Sequence, residues 1–289
     1  MTDGASRRPP RPCPASPRRR VARWRRLGAP LGIALGALAL GGCTVPTFGA
    51  FRGSTVQGHD EFKLWFGMAI AGLAVAVIVW GLIFWSVVAY RRRHDDEMPR
   101  QFREHLPLEV LYTVIPIVIV AVIFYFTFVT EDSIDAVAKK PAEIVHVLAY
   151  QWGWSFTYYD GSGHYQRVRI QTASQPQPTA LPATSSEYPQ MVLPLGETTR
   201  IVLNAADVIH ALYVPAFNFN RQAIPGITNV FDFTPTQAGV FPGQCVQYCG
   251  LYHSEMLFSV RVVTPARFQR WLAAEQGAQA SSQAAGGTA

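Results

Sequence analysis

Cys245-Val246-Gln247-Tyr248-Cys249-Gly250-Leu251-Tyr252-His253-Ser254-Glu255-Met256 gathers two thiols, an imidazole and a thioether in one short stretch. Thiolate and thioether are soft ligands suited to copper, and imidazole suits copper as well. The spacing is more compact than the usual zinc pattern, in which a long insert separates two ligand pairs. A further candidate ligand, His210, ends Asp207-Val208-Ile209-His210, just before the apolar run Ala211 to Val214. Two cysteines in an exported domain most often form a disulfide. The addition of His253, Met256 and His210 turns the reading from a disulfide to a metal site.

The runs on either side of the stretch, Gly239 to Val246 and Met256 to Val263, read as strands. Further β-type runs are Glu143 to Tyr159, Tyr165 to Ile170, Met191 to Leu195, Thr199 to Asn204, Ala211 to Val214 and Val230 to Thr234. Gly, Pro, Asn and Asp separate them, a pattern that predicts a sandwich or barrel. Gln171 to Pro189 reads as a long polar surface loop. Pro265 to Glu275 reads as a short helix, and the low-complexity end as disordered. The expected bounds are 131–272 for the β-domain and 273–289 for a disordered tail.

Ahead of the β-domain lie two apolar segments. Leu64 to Tyr90 is long enough to span a bilayer, and Trp65, Trp80, Trp85 and Tyr90 suit an interfacial belt. Arg91-Arg92-Arg93-His94 places that end in the cytoplasm by the positive-inside rule. Leu108 to Val129 is the second span, with Pro116 inside it and Glu131-Asp132 marking the outer exit. Residues 64–130 are therefore expected to form a transmembrane hairpin, preceded by an extracytoplasmic segment, 43–63. Residues 1–42 combine an Arg-rich start with a short apolar run, Leu27 to Leu40, and read as a signal peptide. Leu40-Gly41-Gly42-Cys43 resembles a bacterial lipobox, which implies lipidation at Cys43.

The net charge of +6 sits almost wholly in that leader. Its nine Arg and one Asp make +8, so the rest of the chain carries −2. A basic nucleic-acid groove is excluded on this balance.

Cys-x3-Cys-x3-His-x2-Met preceded by Asp-x-x-His resembles the dinuclear copper (CuA) loop of cytochrome c oxidase subunit II, of the aa3 type and closest in wording to the actinobacterial branch. The resemblance implies a two-helix hairpin followed by a cupredoxin-like Greek-key β-barrel. It implies two copper ions bridged by Cys245 and Cys249, with His210 and His253 as terminal imidazoles. Met256 is the weak ligand and the backbone carbonyl of Gln247 completes the shell. Relatives carry Glu at the position of Gln247, where it reaches a magnesium ion at the interface with subunit I. A neutral amide is a poorer ligand for a hard cation, so Gln247 counts against magnesium here.

Other roles follow from the same resemblance. Tyr150-Gln151-Trp152-Gly153-Trp154 is similar to a motif whose first Trp admits electrons, which assigns entry to Trp152 and leaves Trp154 a core residue. Glu109, Tyr112, Thr113 and Pro116 match a helix motif whose Glu stands at the entrance of a proton channel; by position alone Glu109 is an interfacial carboxylate. Asp207 reads as a loop hydrogen-bonding residue near the copper site. Arg221 is implied to face haem propionates, although Gln222 stands where relatives have an acid. Implied partners are subunits I and III, membrane lipid, and a cytochrome c or membrane-bound cytochrome cc donor, since no Cys-x-x-Cys-His is present. The implied location is the plasma membrane, with the copper domain outside. A quinol-oxidase type of subunit II lacks these ligands, a mononuclear blue-copper carrier uses one Cys and two His, and a metal-free disulfide module leaves His210, His253 and Met256 unexplained.

Overall fold

The computed structural model describes residues 46–91, 101–160, 166–171 and 188–286. Cys43 and the expected leader lie outside the described residues, as does most of Gln171 to Pro189.

Two long apolar helices come first: α1 is Val56–Ala89 and α2 is Leu106–Asp135. The most apolar 18-residue stretch of each has a mean hydropathy of 2.4 and 2.5, and their apolar side chains are exposed. Outside lipid such faces are unfavourable; inside a bilayer they match their solvent. Both helices outrun the expected spans. α1 already begins at Val56, because Thr55 caps it by accepting from the Gly58 N–H at 2.9 Å. The polar turn through Lys63 thus belongs to the helix rather than to a separate 43–63 segment. α2 runs past Val129 to Asp135, so the expected boundary at 131 moves outward. A helix is limited by its caps, not by the edge of the hydrocarbon.

Among the described residues ten strands follow: β1 Glu143–Tyr150, β2 Gly153–Asp160, β3 Gln166–Gln171, β4 Gln190–Pro194, β5 Thr199–Ala205, β6 His210–Val214, β7 Phe219–Ala223, β8 Asn229–Phe233, β9 Gly239–Cys245 and β10 Leu257–Val263. They form two five-stranded sheets, β3-β2-β1-β5-β8 and β4-β10-β9-β6-β7. β1 runs parallel to β5 and β4 parallel to β10. The other pairings are antiparallel. The expected β-domain is thus present, built as a sandwich of two sheets. Its core draws on both, with Trp154, Phe156, Val145 and Ile201 from one sheet and Phe258, Val260, Leu212 and Leu193 from the other, all fully buried. Burying each such side chain contributes about 1.5–3 kcal/mol before entropy.

Two strand readings change. The single run Glu143 to Tyr159 is a hairpin, β1 and β2, joined by the two-residue turn Gln151-Trp152. β7 carries Asn, Arg and Gln and gives little β signal; pairing with β6 and burial of Phe219 hold it in place.

Gly58 shows how the helices meet the sandwich. A Cβ there would lie 2.3 Å from the Phe217 carbonyl oxygen, so only glycine permits the approach. Asn218 clamps the same place, donating from Nδ2 to the carbonyls of Gly58 at 3.1 Å and Phe51 at 2.7 Å.

The last helix, α3, is Pro265–Gly286. The tail expected to be disordered from 273 is therefore helical as far as 286. Ala and Gln are good helix formers, and Phe268 and Leu272 anchor the helix in the core. Farther along, Gln279 donates to the Arg169 carbonyl at 2.8 Å and accepts from its N–H at 3.4 Å, tying the extension to edge strand β3.

Candidate metal centre

Sheet order assembles the site. β10, β9 and β6 are neighbours, so the start of β6 (His210), the end of β9 (Cys245) and the residue before β10 (Met256) come together. The Cys245 N–H donates to the Met256 carbonyl at 3.0 Å, closing the loop as one more rung of the β9–β10 ladder. Within the loop, the short 3-10 turn His253–Glu255 brings His253 back beside Cys249.

The donor atoms converge. Cys245 Sγ and Cys249 Sγ are 3.9 Å apart. That exceeds the ~2 Å of a disulfide, and both thiols are free. His210 Nδ1 lies 4.0 Å from Cys245 Sγ, and His253 Nδ1 lies 3.4 Å from Cys249 Sγ. Met256 Sδ is 3.8 Å from Cys249 Sγ, and the Gln247 carbonyl oxygen is 3.3 Å from Cys245 Sγ. All six expected residues are therefore brought together. His210 is fully buried, and Cys245, Cys249 and Met256 are at most 5% exposed. Two sulfurs flanked by two imidazoles, with a thioether and a carbonyl outside them, fit a pair of soft metal ions.

The surroundings orient these donors. Asp207 Oδ1 lies 2.8 Å from His210 Nε2, which leaves Nδ1 aimed at the sulfurs. Asp207 also accepts from the N–H groups of Val208 at 2.7 Å and Gln151 at 2.6 Å. Burial opposes ionisation of Asp207, but the bonds from His210, Gln151 and Val208 outweigh it and hold the carboxyl below its usual range. Burial likewise opposes the charged form of His210, while Cys245 and Asp207 outweigh it and raise the imidazole. The thiols split. Burial works against the Cys245 thiolate, yet His210 and the Ala211 and Gln247 backbone pull its pKa down. Burial and then the neighbouring Cys245 charge push Cys249 up to about 12. Two thiolates this close need a cation between them.

Trp152 is half-buried at the edge of the site. Its indole N–H donates to the Cys249 carbonyl at 3.1 Å, and its ring meets Tyr252 edge-on at 5.0 Å. Trp154, expected as a core residue, is fully buried and also donates to the loop, to the Met256 carbonyl at 3.3 Å. Sequence reasoning missed that second bond and missed the part played by Gln151. The alternate spacing of Trp152, in the turn, and Trp154, on β2, was the available signal.

The remaining expected residues lie elsewhere. Gln247 Oε1 accepts from Gln222 Nε2 at 3.3 Å, so the two positions where acids were expected hold a neutral amide pair. Arg221 pairs with Asp135 at the end of α2 and lies over Phe219 and Phe231 at 5.5 and 5.8 Å. Glu109 sits in the first turn of α2 and accepts from the His105 N–H at 2.9 Å, which makes it part of a helix cap.

Known sequences match this arrangement over both parts of the chain. The description "Cytochrome C oxidase subunit II, periplasmic domain" matches residues 144–263, and its transmembrane counterpart matches residues 54–129. A probable cytochrome c oxidase subunit 2 of Streptomyces avermitilis is 38% identical, covering 89% of this chain and 88% of its own.

The chain belongs to the cytochrome c oxidase subunit II family.

A second member, the cytochrome c oxidase subunit 2 of Mycobacterium tuberculosis, is 37% identical over 84% of this chain and 80% of its own. Among solved structures, the periplasmic domain of subunit II of Bradyrhizobium japonicum cytochrome oxidase is 29% identical. It covers 49% of this chain and 98% of that one, at a TM-score of 0.41. Family membership gives the two apolar helices their meaning as a transmembrane domain and the sandwich its place as an exported, copper-binding domain of a haem-copper oxidase subunit.

Proposed function

We propose that this chain takes electrons from a cytochrome c or a membrane-bound cytochrome cc at a dinuclear copper centre and delivers them to haem a of subunit I. Oxygen reduction and proton translocation take place in that partner, and subunit III completes the assembly. The observation that carries the reading is the pair of sulfurs, 3.9 Å apart, standing between two imidazole nitrogens. Cys245, Cys249, His210, His253, Met256 and the Gln247 carbonyl would hold the metals. A copper pair supplies a one-electron site whose charge is spread over two metals.

The chain's own residues do the rest. Three adjacent strands and a closed loop hold the donors in place whichever charge the centre carries, which keeps reorganisation small. Burial keeps water from the sulfurs. Trp152 offers an entry ring one hydrogen bond away from the backbone of Cys249. The Gln247 amide oxygen accepts from Gln222 at 3.3 Å, which counts against Gln247 as a magnesium ligand. On the sequence motif alone, Glu109 is assigned the inner entrance of a proton path and Cys43 a lipid anchor on the outer face of the plasma membrane. The protein is then a multi-pass membrane subunit with its copper domain outside.

The test is an electron paramagnetic resonance spectrum of the copper-loaded protein. An electron shared by two copper nuclei gives more hyperfine lines, more closely spaced, than one held on a single nucleus. The shared pattern is expected, and it is expected to disappear in Cys249→Ser. A single-copper pattern would replace this reading with a blue-copper carrier. A Cys245–Cys249 disulfide without bound copper, in protein taken directly from cells, would replace it with a metal-free module.

A further inference from the structure

The turn between β1 and β2 reaches the metal centre from outside and holds it at two places. Gln151 Nε2 donates to the Cys249 carbonyl at 2.8 Å, and the Trp152 indole donates to the same oxygen at 3.1 Å. One carbonyl thus accepts from two side chains that are neighbours in sequence. The Gln151 backbone N–H donates to Asp207 Oδ2 at 2.6 Å, and Asp207 Oδ1 meets His210 Nε2 at 2.8 Å. Through these bonds Gln151 touches the Cys249 side of the centre directly and the His210 side through one carboxylate. Cys249 and His210 come from different elements, the β9–β10 loop and the start of β6, so the turn ties together two of the elements that carry the donors.

The loop is shaped for this contact. Gly250, next to Cys249, has φ +117°, and a Cβ there would stand 3.1 Å from Trp152 Cζ2 and 3.2 Å from Gln151 Nε2. Glycine at 250 lets the loop backbone lie flat on the Gln151-Trp152 dipeptide. Trp152 has its other contact, edge-on, with Tyr252 of the same loop. With Gln151 bonded to the same oxygen, the carbonyl that the indole meets is held from a second side.

We infer that Gln151 is a positioning residue for electron entry, fixing the Cys249 carbonyl against the Trp152 indole while its backbone secures His210 through Asp207. The inference rests on the dinuclear-copper reading. It separates two tasks within one dipeptide: Trp152 carries the electron and Gln151 sets the geometry in which it does so.

The experiment compares wild type, Gln151→Glu and Gln151→Leu in the assembled oxidase. Gln151→Glu keeps the shape, but at neutral pH its carboxylate cannot donate to a carbonyl; Gln151→Leu removes the polar group. Copper content, the paramagnetic resonance spectrum and the rate of reduction by a rapidly photoreduced cytochrome c are measured on each. Both variants are expected to retain two coppers and an unchanged KM for the donor. Their entry rate is expected to fall about tenfold, the equivalent of one hydrogen bond, with altered hyperfine splitting. An unchanged rate and spectrum would overturn the inference. Copper loss in both variants would overturn it in favour of a role in building the site, and a raised KM at unchanged limiting rate would overturn it in favour of donor docking. If wild type itself lacks the shared-electron spectrum, the dinuclear reading fails, and that outcome is distinct from failure of the Gln151 assignment.

Discussion

At the residue scale the centre depends on groups that never reach the metal. Asp207 fixes which nitrogen of His210 faces the sulfurs, since Nε2 is occupied and only Nδ1 is left. Asp207→Asn keeps the size and one acceptor but gives up the charge that favours a correctly oriented, electron-rich imidazole. Loss of such an outer partner typically costs 10–100-fold in metal affinity. Copper affinity measured by chelator competition is expected to fall by about that factor in Asp207→Asn, with the fold intact by circular dichroism; unchanged affinity would make Asp207 a loop residue only. The convergence of Cys245, Cys249, His253, Met256 and His210 was legible in the sequence because four of them share a twelve-residue stretch. Asp207 was legible as a loop hydrogen-bonding residue near the site, but the ties of Gln151 to Cys249 and to Asp207 were not. They join residues 98 and 56 positions apart, and no local spacing records a hydrogen bond across two sheets.

At the element scale, Tyr158 on β2 shows how the sandwich closes at β4. Its hydroxyl accepts from the Val192 N–H at 2.7 Å and donates to the Val192 carbonyl at 3.1 Å. Among the described residues strand β4 is the outer member of its sheet and pairs with β10, and Tyr158 satisfies both polar groups of Val192 on its other side. Tyr158→Phe would leave them buried without that partner, at a cost of about 1–3 kcal/mol. Burial, the largest effect, raises the phenol pKa, and the neighbouring Val192 and Arg261 reduce the rise without cancelling it. The folded value therefore lies above the unfolded value of about 10. Stability from the neutral phenol is fully present below about pH 10 and is lost as pH rises beyond it. Thermal unfolding should show an alkaline decline above about pH 10 that is weaker in Tyr158→Phe; equal declines would sink the assignment. Strong alternation and β-branched content made most strands readable. β7 and the extension of α3 were not, because polar sequence was recruited by pairing with β6 in one case and by Gln279 on β3 in the other.

For the whole molecule, the decisive joint lies where α2 hands over to the sandwich. Asp232 of β8 is 2% exposed and accepts from Arg200 of β5 at 2.9 Å and from the Ala138 N–H at 2.6 Å. Arg200 also donates to the Ala138 carbonyl, so one ion pair grips both polar groups of the linker residue three positions beyond α2. Nearby, Arg221 of β7 holds Asp135, the last residue of that helix. These ties, with Asn218 and Gly58 at α1, fix the metal-bearing sandwich to the helical hairpin. Burying the pair is costly in itself, and breaking it by removing one member costs about 3–5 kcal/mol because the other charge is stranded. Arg200→Met should therefore lower stability by about that amount in denaturant titrations of the detergent-solubilised, copper-free protein. The double change Arg200→Met with Asp232→Leu should recover most of the loss, because no buried charge then remains. Even the recovered protein loses the grip on Ala138, and cleavage of the 136–142 linker by protease should be faster than in wild type. If the double variant is as unstable as the single one, packing rather than charge holds the joint; if linker cleavage is unchanged, the pair stabilises the sandwich without anchoring it.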